Sequence, residues 1–101
     1  QAPAAVSICE PSKHPNWMFS CGKDGTLSPF TDNPISTLRQ DLPKVYTLNG
    51  ALYLAKTDWI QQNRSFLSPE TIGYVMPPER SADIDTLLDW EWVELLISKL
   101  L

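Results

Sequence analysis

Short apolar blocks, separated by polar breaks that carry proline and glycine, set the rhythm of this 101-residue chain. AAVSICE at 4–10 is a compact apolar run and predicts a buried strand. After the break KHPN, WMFSC alternates, with Trp17, Phe19 and Cys21 on one side and Met18 and Ser20 on the other. GKDG then supplies a turn and TLSPF returns, so the segment predicts a β-hairpin. Pro29 has no N–H to give, and the returning strand is therefore an edge or ends there. TDNPISTLRQDLPK is loop-rich, with room for one helical turn in ISTLRQ. In VYTLNGALYLAK the pair Asn49-Gly50 stands between apolar runs and has the local form of a two-residue hairpin turn. TDWIQQN predicts a short helix capped by Thr57 or Asp58, and TIGYVMPP a strand stopped by its prolines. A final helix is expected from about 86 to the end, with Leu88, Trp92, Leu95 and Leu96 as its core stripe. Asp89, Glu91 and Glu94 are expected to be exposed, and Trp90 and Trp92 to serve packing. Strands that alternate with helices give an α/β class with one antiparallel hairpin appended. The implied sheet is small and the helices are two, which is the content of part of an α/β domain.

Composition narrows the function classes. With 43% hydrophobic and 20% charged residues the chain is globular rather than disordered. The formal net charge is −4 and no Lys/Arg cluster is present, which argues against a nucleic-acid partner. No apolar run approaches the roughly 18 residues that a membrane span requires. The opening QAPAAVSICEP lacks the basic segment and long apolar core of a signal peptide. Cys9 and Cys21 are too few for a disulfide scaffold and show no metal-ligand pairing, so they are expected as reduced, half-buried thiols of a cytoplasmic protein. His14 is the single histidine, and no Ser-His-Asp or Cys-His arrangement is legible. The glycines at 22, 25, 50 and 73 form no phosphate-binding loop.

The chemistry concentrates in RSADIDTLLD at 80–89. Asp85 or Thr86 suits a helix N-cap, and Thr86 with Asp89 has the spacing of a capping box. An acid in the first turn also suits the positive end of the helix dipole. If residues 82–85 are extended, Asp83 and Asp85 point to the same side. Two carboxylates there make a hard-oxygen site for Mg2+, which typically binds one or two carboxylates together with substrate phosphates. Spacing leaves both roles open, and Asp85 could cap the helix while Asp83 binds metal.

RQDLP, NGALYLAKTDW, NRSFLSPETIGYVMP and RSADIDTLLDW, in this order and at this separation, resemble the C-terminal half of the acylneuraminate cytidylyltransferases, the CMP-sialic acid synthetases. The resemblance covers nearly the whole chain. It implies an α/β fold, the C-terminal part of a nucleotidyltransferase-like Rossmann-type domain with a small mixed sheet and a C-terminal helix. Residues 1–101 would be one partial domain, with a projecting hairpin and loop subdomain for dimerisation over 12–45 and the sugar- and metal-site half over 46–101. The family activates a nonulosonic (sialic-type) acid with CTP, giving the CMP-sugar and pyrophosphate. By resemblance, Asp83 and Asp85 coordinate Mg2+. Asn49 and Tyr53 contact the substrate from a strand edge, and Gly50 permits close backbone approach, which argues against the hairpin turn. Phe66 lines the sugar pocket. Arg39 reaches into the active site of a second subunit in a homodimer, where its planar fork suits a carboxylate.

Two positions depart from the family pattern. Trp17 stands where many relatives carry a lysine that holds substrate, and Ser65 replaces an aromatic residue before Phe66. These changes leave the sugar open among sialic, legionaminic, pseudaminic and other nonulosonic acids. The family's CTP-binding loop, rich in Arg, Gly, Ser and Lys, has no counterpart here, and Arg39, Arg64 and Arg80 are a poor substitute for it. The expectation is a C-terminal fragment, inactive alone, that works with an N-terminal half. A stand-alone, non-catalytic dimeric module from a truncated gene is the alternative, and a regulatory module that binds metal or acidic sugar is the third.

Overall fold

β1 (Ala4–Cys9) runs through the middle of a three-stranded sheet, and its apolar sequence follows from that position. β4 (Thr47–Ala55) lies antiparallel on one edge of it and β5 (Ile72–Val75) parallel on the other. Ala4, Val6, Ser7 and Cys9 are buried there. Gly73 pairs with Val6, and the bare Cα lets Ile8 lie close against it: an added Cβ would stand 2.5 Å from the Ile8 Cδ1. These coordinates are a computed structural model that describes residues 1–31 and 42–101. Arg39 and the helical turn expected in ISTLRQ lie outside the described residues.

The hairpin turn suggested by Asn49-Gly50 does not form. β4 continues through both residues, and the sheet absorbs them as a bulge. Val6 pairs with Tyr53 and Ile8 with Leu48, so two steps along β1 face five along β4. Gly50 makes the bulge possible by taking φ +75°, a region that costs a residue with a Cβ about 1–2 kcal/mol. The local turn rule fails because β1 supplies partners on both sides of the pair.

The helices sit at the ends of this sheet's connections. α1 (Thr57–Asn63) starts from Lys56, whose N–H donates to the Pro3 carbonyl at 2.9 Å. Lys56 is thus the N-cap, in place of Thr57 or Asp58, and the cap is made by backbone geometry without a side-chain acceptor. The Asp58 carboxylate accepts from the N–H of Trp59 at 2.9 Å instead. Arg64, left-handed at φ 58°, ends the helix. α2 (Leu87–Leu100) is capped by Thr86. None of its residues is buried, and the partly covered ones are Asp89, Val93 and Leu96. The expected core stripe is corrected accordingly: Leu88 is 73% exposed, Trp92 53% and Leu95 47%, and only Leu96 is half-buried. Trp90 is exposed as well. Periodicity selects a helix face, but it does not supply the surface that covers it.

The chain divides into two compact units, one of Gln1–Cys9 with Tyr46–Leu101 and the other of Glu10–Val45. In it β2 (Phe19–Cys21) and β3 (Leu27–Pro29) pair as the expected hairpin. The Asp24 carboxylate braces the turn by accepting from the N–H and hydroxyl of Thr26 at 3.1 and 2.7 Å. These hydrogen bonds, that from the Thr26 side chain foremost, hold the Asp24 carboxyl below its ordinary pKa. Trp17 lies in a 3-10 turn, Pro15–Trp17, so the strand alternation begins only at Phe19. His14 is buried: its Nδ1 accepts from the Asn16 N–H at 3.1 Å, which leaves Nε2–H to donate to the Pro43 carbonyl at 2.9 Å. Cys9 is buried and Cys21 exposed, and both are free thiols, so neither is half-buried as expected. The architecture is mixed α/β, with small sheets and a C-terminal helix. Among the described residues no helix is long and apolar enough to cross a membrane.

Candidate functional site

Ser7 is a polar residue in the middle of the buried strand, only 1% exposed, and the site is built outward from it. The β4 bulge takes the ladder partner away from this point, and the Ser7 hydroxyl fills the gap. Its oxygen accepts the Leu52 N–H at 2.8 Å, and its proton goes to the Asn49 Oδ1. The Leu52 carbonyl is farther, at 3.3 Å. Asn49 Oδ1 also accepts the Ala51 N–H at 3.1 Å. Its Nδ2 donates to the Ser81 Oγ at 3.0 Å and to the Met76 Sδ at 3.4 Å. Ser81 passes its own proton to the Pro77 carbonyl at 2.8 Å. Both ends of the Asn49 amide are therefore engaged inside the chain, and their orientation is set by donors that have no other choice. Met76 adds a backbone tie, since its N–H donates to the Ile8 carbonyl at 2.8 Å.

Tyr53 follows on β4, 43% exposed. Its ring meets the half-buried ring of Phe66 at a centroid distance of 5.3 Å and a tilt of 53°. That geometry suits the quadrupoles of two aromatic rings. The loop that carries Phe66 is braced from within: the Thr71 hydroxyl donates to the Phe66 carbonyl at 2.6 Å, and the Leu67 N–H donates to the Ser65 Oγ at 3.1 Å. Ser65 thus has a local structural task where an aromatic residue is expected from the family pattern. Gly50 is exposed, with open space where a Cβ would stand.

Asp83 and Asp85 lie between Ser81 and α2, in a stretch without regular secondary structure. Both are exposed, and among the described residues neither carboxylate has a hydrogen-bond or ion-pair partner. The N-cap role goes to Thr86, whose Oγ accepts the Asp89 N–H at 3.1 Å. Asp89 answers with one carboxylate oxygen that accepts the N–H groups of Asp85 and Thr86, both at 3.0 Å. Hydrogen bonds from the Asp85 backbone and from Thr86 hold the Asp89 carboxyl below its ordinary pKa. Asp83 and Asp85 are left with free carboxylates, the hard-oxygen type of donor that Mg2+ takes alongside several waters. Among the described residues no group of three or more His, Cys, Asp or Glu side chains forms a larger cluster. Asn49, Gly50, Tyr53, Phe66, Asp83 and Asp85 all belong to the unit of the three-stranded sheet. Ser7, Met76 and Ser81 escaped the sequence reading, and a serine within an apolar strand run was the signal available. A cavity of about 460 Å3 opens at the start of β1 against Leu54 and Ile72; its lining is mainly apolar, with Gln1 and Lys56 as the polar members, and includes none of the expected site residues.

No family model matches the chain. Curated proteins do. CMP-N,N'-diacetyllegionaminic acid synthase of Campylobacter jejuni is 40% identical over 62 residues, 61% of this chain. The protein of the same name from Legionella pneumophila is 32% identical over 96 residues, 93% of the chain. N-acylneuraminate cytidylyltransferase of Streptococcus agalactiae is 31% identical over 85 residues, 84% of the chain. The chain is similar to proteins of the acylneuraminate cytidylyltransferase family. The matches are consistent with the family's C-terminal half, and they span 26%, 41% and 21% of those three relatives' own lengths.

Proposed function

We propose that this chain is the sugar- and metal-site portion of a cytidylyltransferase that activates a nonulosonic acid with CTP. The observation that carries this reading is the tether from Asn49 to Ser81, which joins the strand bearing Tyr53 to the segment bearing Asp83 and Asp85. Tyr53 and Phe66 offer an aromatic wall to the sugar, and open space at Gly50 admits it close to the backbone. Asp83 and Asp85 hold Mg2+, which when bound neutralises charge on the phosphates. Arg39 meets the acidic sugar of a second subunit across a homodimer, with 12–45 as the dimerisation subdomain of a Rossmann-type nucleotidyltransferase fold. The triphosphate cradle belongs to an N-terminal half. The names of the relatives favour legionaminic or acylneuraminic acid as the sugar class.

The test is CMP-sugar formation with CTP, Mg2+ and a panel of nonulosonic acids, run with the chain alone and with an N-terminal half supplied. The chain alone is expected to give no pyrophosphate above background, and activity is expected on complementation. Within the active assembly, Asp83→Ala and Asp85→Ala are each expected to lower kcat by on the order of a hundredfold. A wild-type rate at saturating Mg2+ in either variant removes that residue from the metal site. Turnover by the chain alone would overturn the division of labour.

A further inference from the structure

We propose that the Ser7–Asn49–Ser81 relay is a positioning device for the Asp83–Asp85 segment, with Asn49 acting through Ser81 rather than by touching substrate. The metal role of those aspartates rests on the reading above, whereas the positioning itself does not. The segment is held at both ends. On its C-terminal side the Asp89 carboxylate grips the N–H groups of Asp85 and Thr86, both at 3.0 Å. On its N-terminal side the single 3-10 turn Pro78–Arg80 ends at Ser81, whose N–H donates to the Pro78 carbonyl at 3.1 Å. The Ser81 hydroxyl adds the tie to the rest of the fold: it accepts from the Asn49 Nδ2 at 3.0 Å and donates to the Pro77 carbonyl at 2.8 Å. Ala82, Asp83 and Ile84 hang between these two clamps.

The relay has one direction. The Leu52 N–H obliges the Ser7 oxygen to accept, so the Ser7 hydroxyl donates to Asn49 Oδ1. The Ala51 N–H obliges that same Oδ1 to accept, so the Asn49 Nδ2 faces Ser81. Each member is satisfied only if its neighbour holds its place, and a part-buried network anchored on buried Ser7 favours one arrangement. Ser7, at 1% exposure, anchors it in the central strand of the sheet. An ionised aspartate at position 49 would keep the shape but lose the donor that grips Ser81.

Two solution measurements on the 15N-labelled protein separate positioning from mere stability. Heteronuclear NOEs over Ala82–Asp85 read the order of the segment, and paramagnetic broadening by Mn2+ alone reads its affinity for a divalent cation. Ser81→Ala and Asn49→Asp are expected to lower the NOEs over these residues with far-UV circular dichroism unchanged. They are also expected to raise the Mn2+ dissociation constant about tenfold, the usual effect of losing an outer support of metal ligands. Ser81→Thr, which keeps the hydroxyl, is expected to restore both. If the wild-type protein binds no Mn2+ while Ser81→Ala still loosens the segment, the metal assignment fails and the positioning role stands. NOEs as high in Ser81→Ala and Asn49→Asp as in the wild type, whether or not their melting temperatures fall, would overturn the proposal.

Discussion

Gly50 and Asn49 are neighbours with opposite reasons for being what they are. Asn49 is chosen for four hydrogen bonds, spread over Ser7, Ala51, Met76 and Ser81. Gly50 is chosen for its backbone, at φ +75°, with nothing within 4 Å of where a Cβ would lie. Replacement of Gly50 therefore meets strain without collision. Gly50→Ala is expected to destabilise the fold by about 1 kcal/mol, and Gly50→Asn by less, because asparagine tolerates the left-handed region. Denaturant unfolding of the two variants checks the order, and an alanine variant as stable as the wild type would remove the strain argument. The pair was legible in the sequence as special, but the local rule assigned it to the wrong feature. A turn and a bulge demand the same residues, and only the presence of β1 as a partner on both flanks separates them.

At the scale of elements, the N-terminus of α2 has the clearest electrostatics. The Asp89 carboxyl titrates below its ordinary value because its ionised form accepts from the Asp85 and Thr86 backbone. A depressed folded-state pKa stabilises the folded form above the unfolded value. The contribution is complete above the ordinary 3.8 and is lost as pH falls through the lower folded value. Amide exchange at Asp85 and Thr86 is expected to accelerate over that acid window, and Asp89→Asn is expected to abolish the pH dependence. Thr86→Ala is expected to cost about 1 kcal/mol of helix stability. An exchange rate at Thr86 that stays flat through the acid window would show that the carboxylate does not hold the cap. The capping box was readable from Thr86 and Asp89, because it is a purely local pattern. The stripe of Leu88, Trp92 and Leu95 was not realised, because burial of a helix face depends on what lies opposite.

At the scale of the whole molecule, the apolar content exceeds what the described residues bury. Ala4, Val6 and Cys9 are the buried hydrophobic residues, while Leu54, Ile72, Tyr74, Leu87, Leu88 and Leu100 are each more than half exposed. Large apolar side chains exposed in this number support the proposed reliance on a second copy and on an N-terminal half. On the hairpin, Phe19 is 42% exposed and available to a partner. Sedimentation equilibrium at micromolar concentration is expected to give a dimer, and Phe19→Asp a monomer, since a buried unpaired charge costs several kcal/mol, on the order of 2–7 for even an uncharged polar group. A wild-type mass of 11.4 kDa would refute the dimer. A folded, dimeric Phe19→Asp protein would move the interface elsewhere.

By itself the sequence determined the elements whose causes are local: the apolar strand at Ala4–Cys9, the hairpin around GKDG, the proline-stopped strand at Ile72–Val75 and the capped helix from Leu87. It also carried the family resemblance, through motifs whose order and spacing are written in the chain. Tertiary structure alone decided the rest. Whether Asn49-Gly50 turned or bulged depended on a strand more than forty positions away. Whether Ser7 was a flaw in an apolar run or the anchor of a relay depended on the gap which that bulge opened. The meeting of Tyr53 with Phe66, and the tie from Asn49 to Ser81, are juxtapositions of residues distant in sequence. Periodicity and capping rules read only near neighbours along the chain, whereas register, bulges and side-chain relays are fixed by partners that the fold brings from afar.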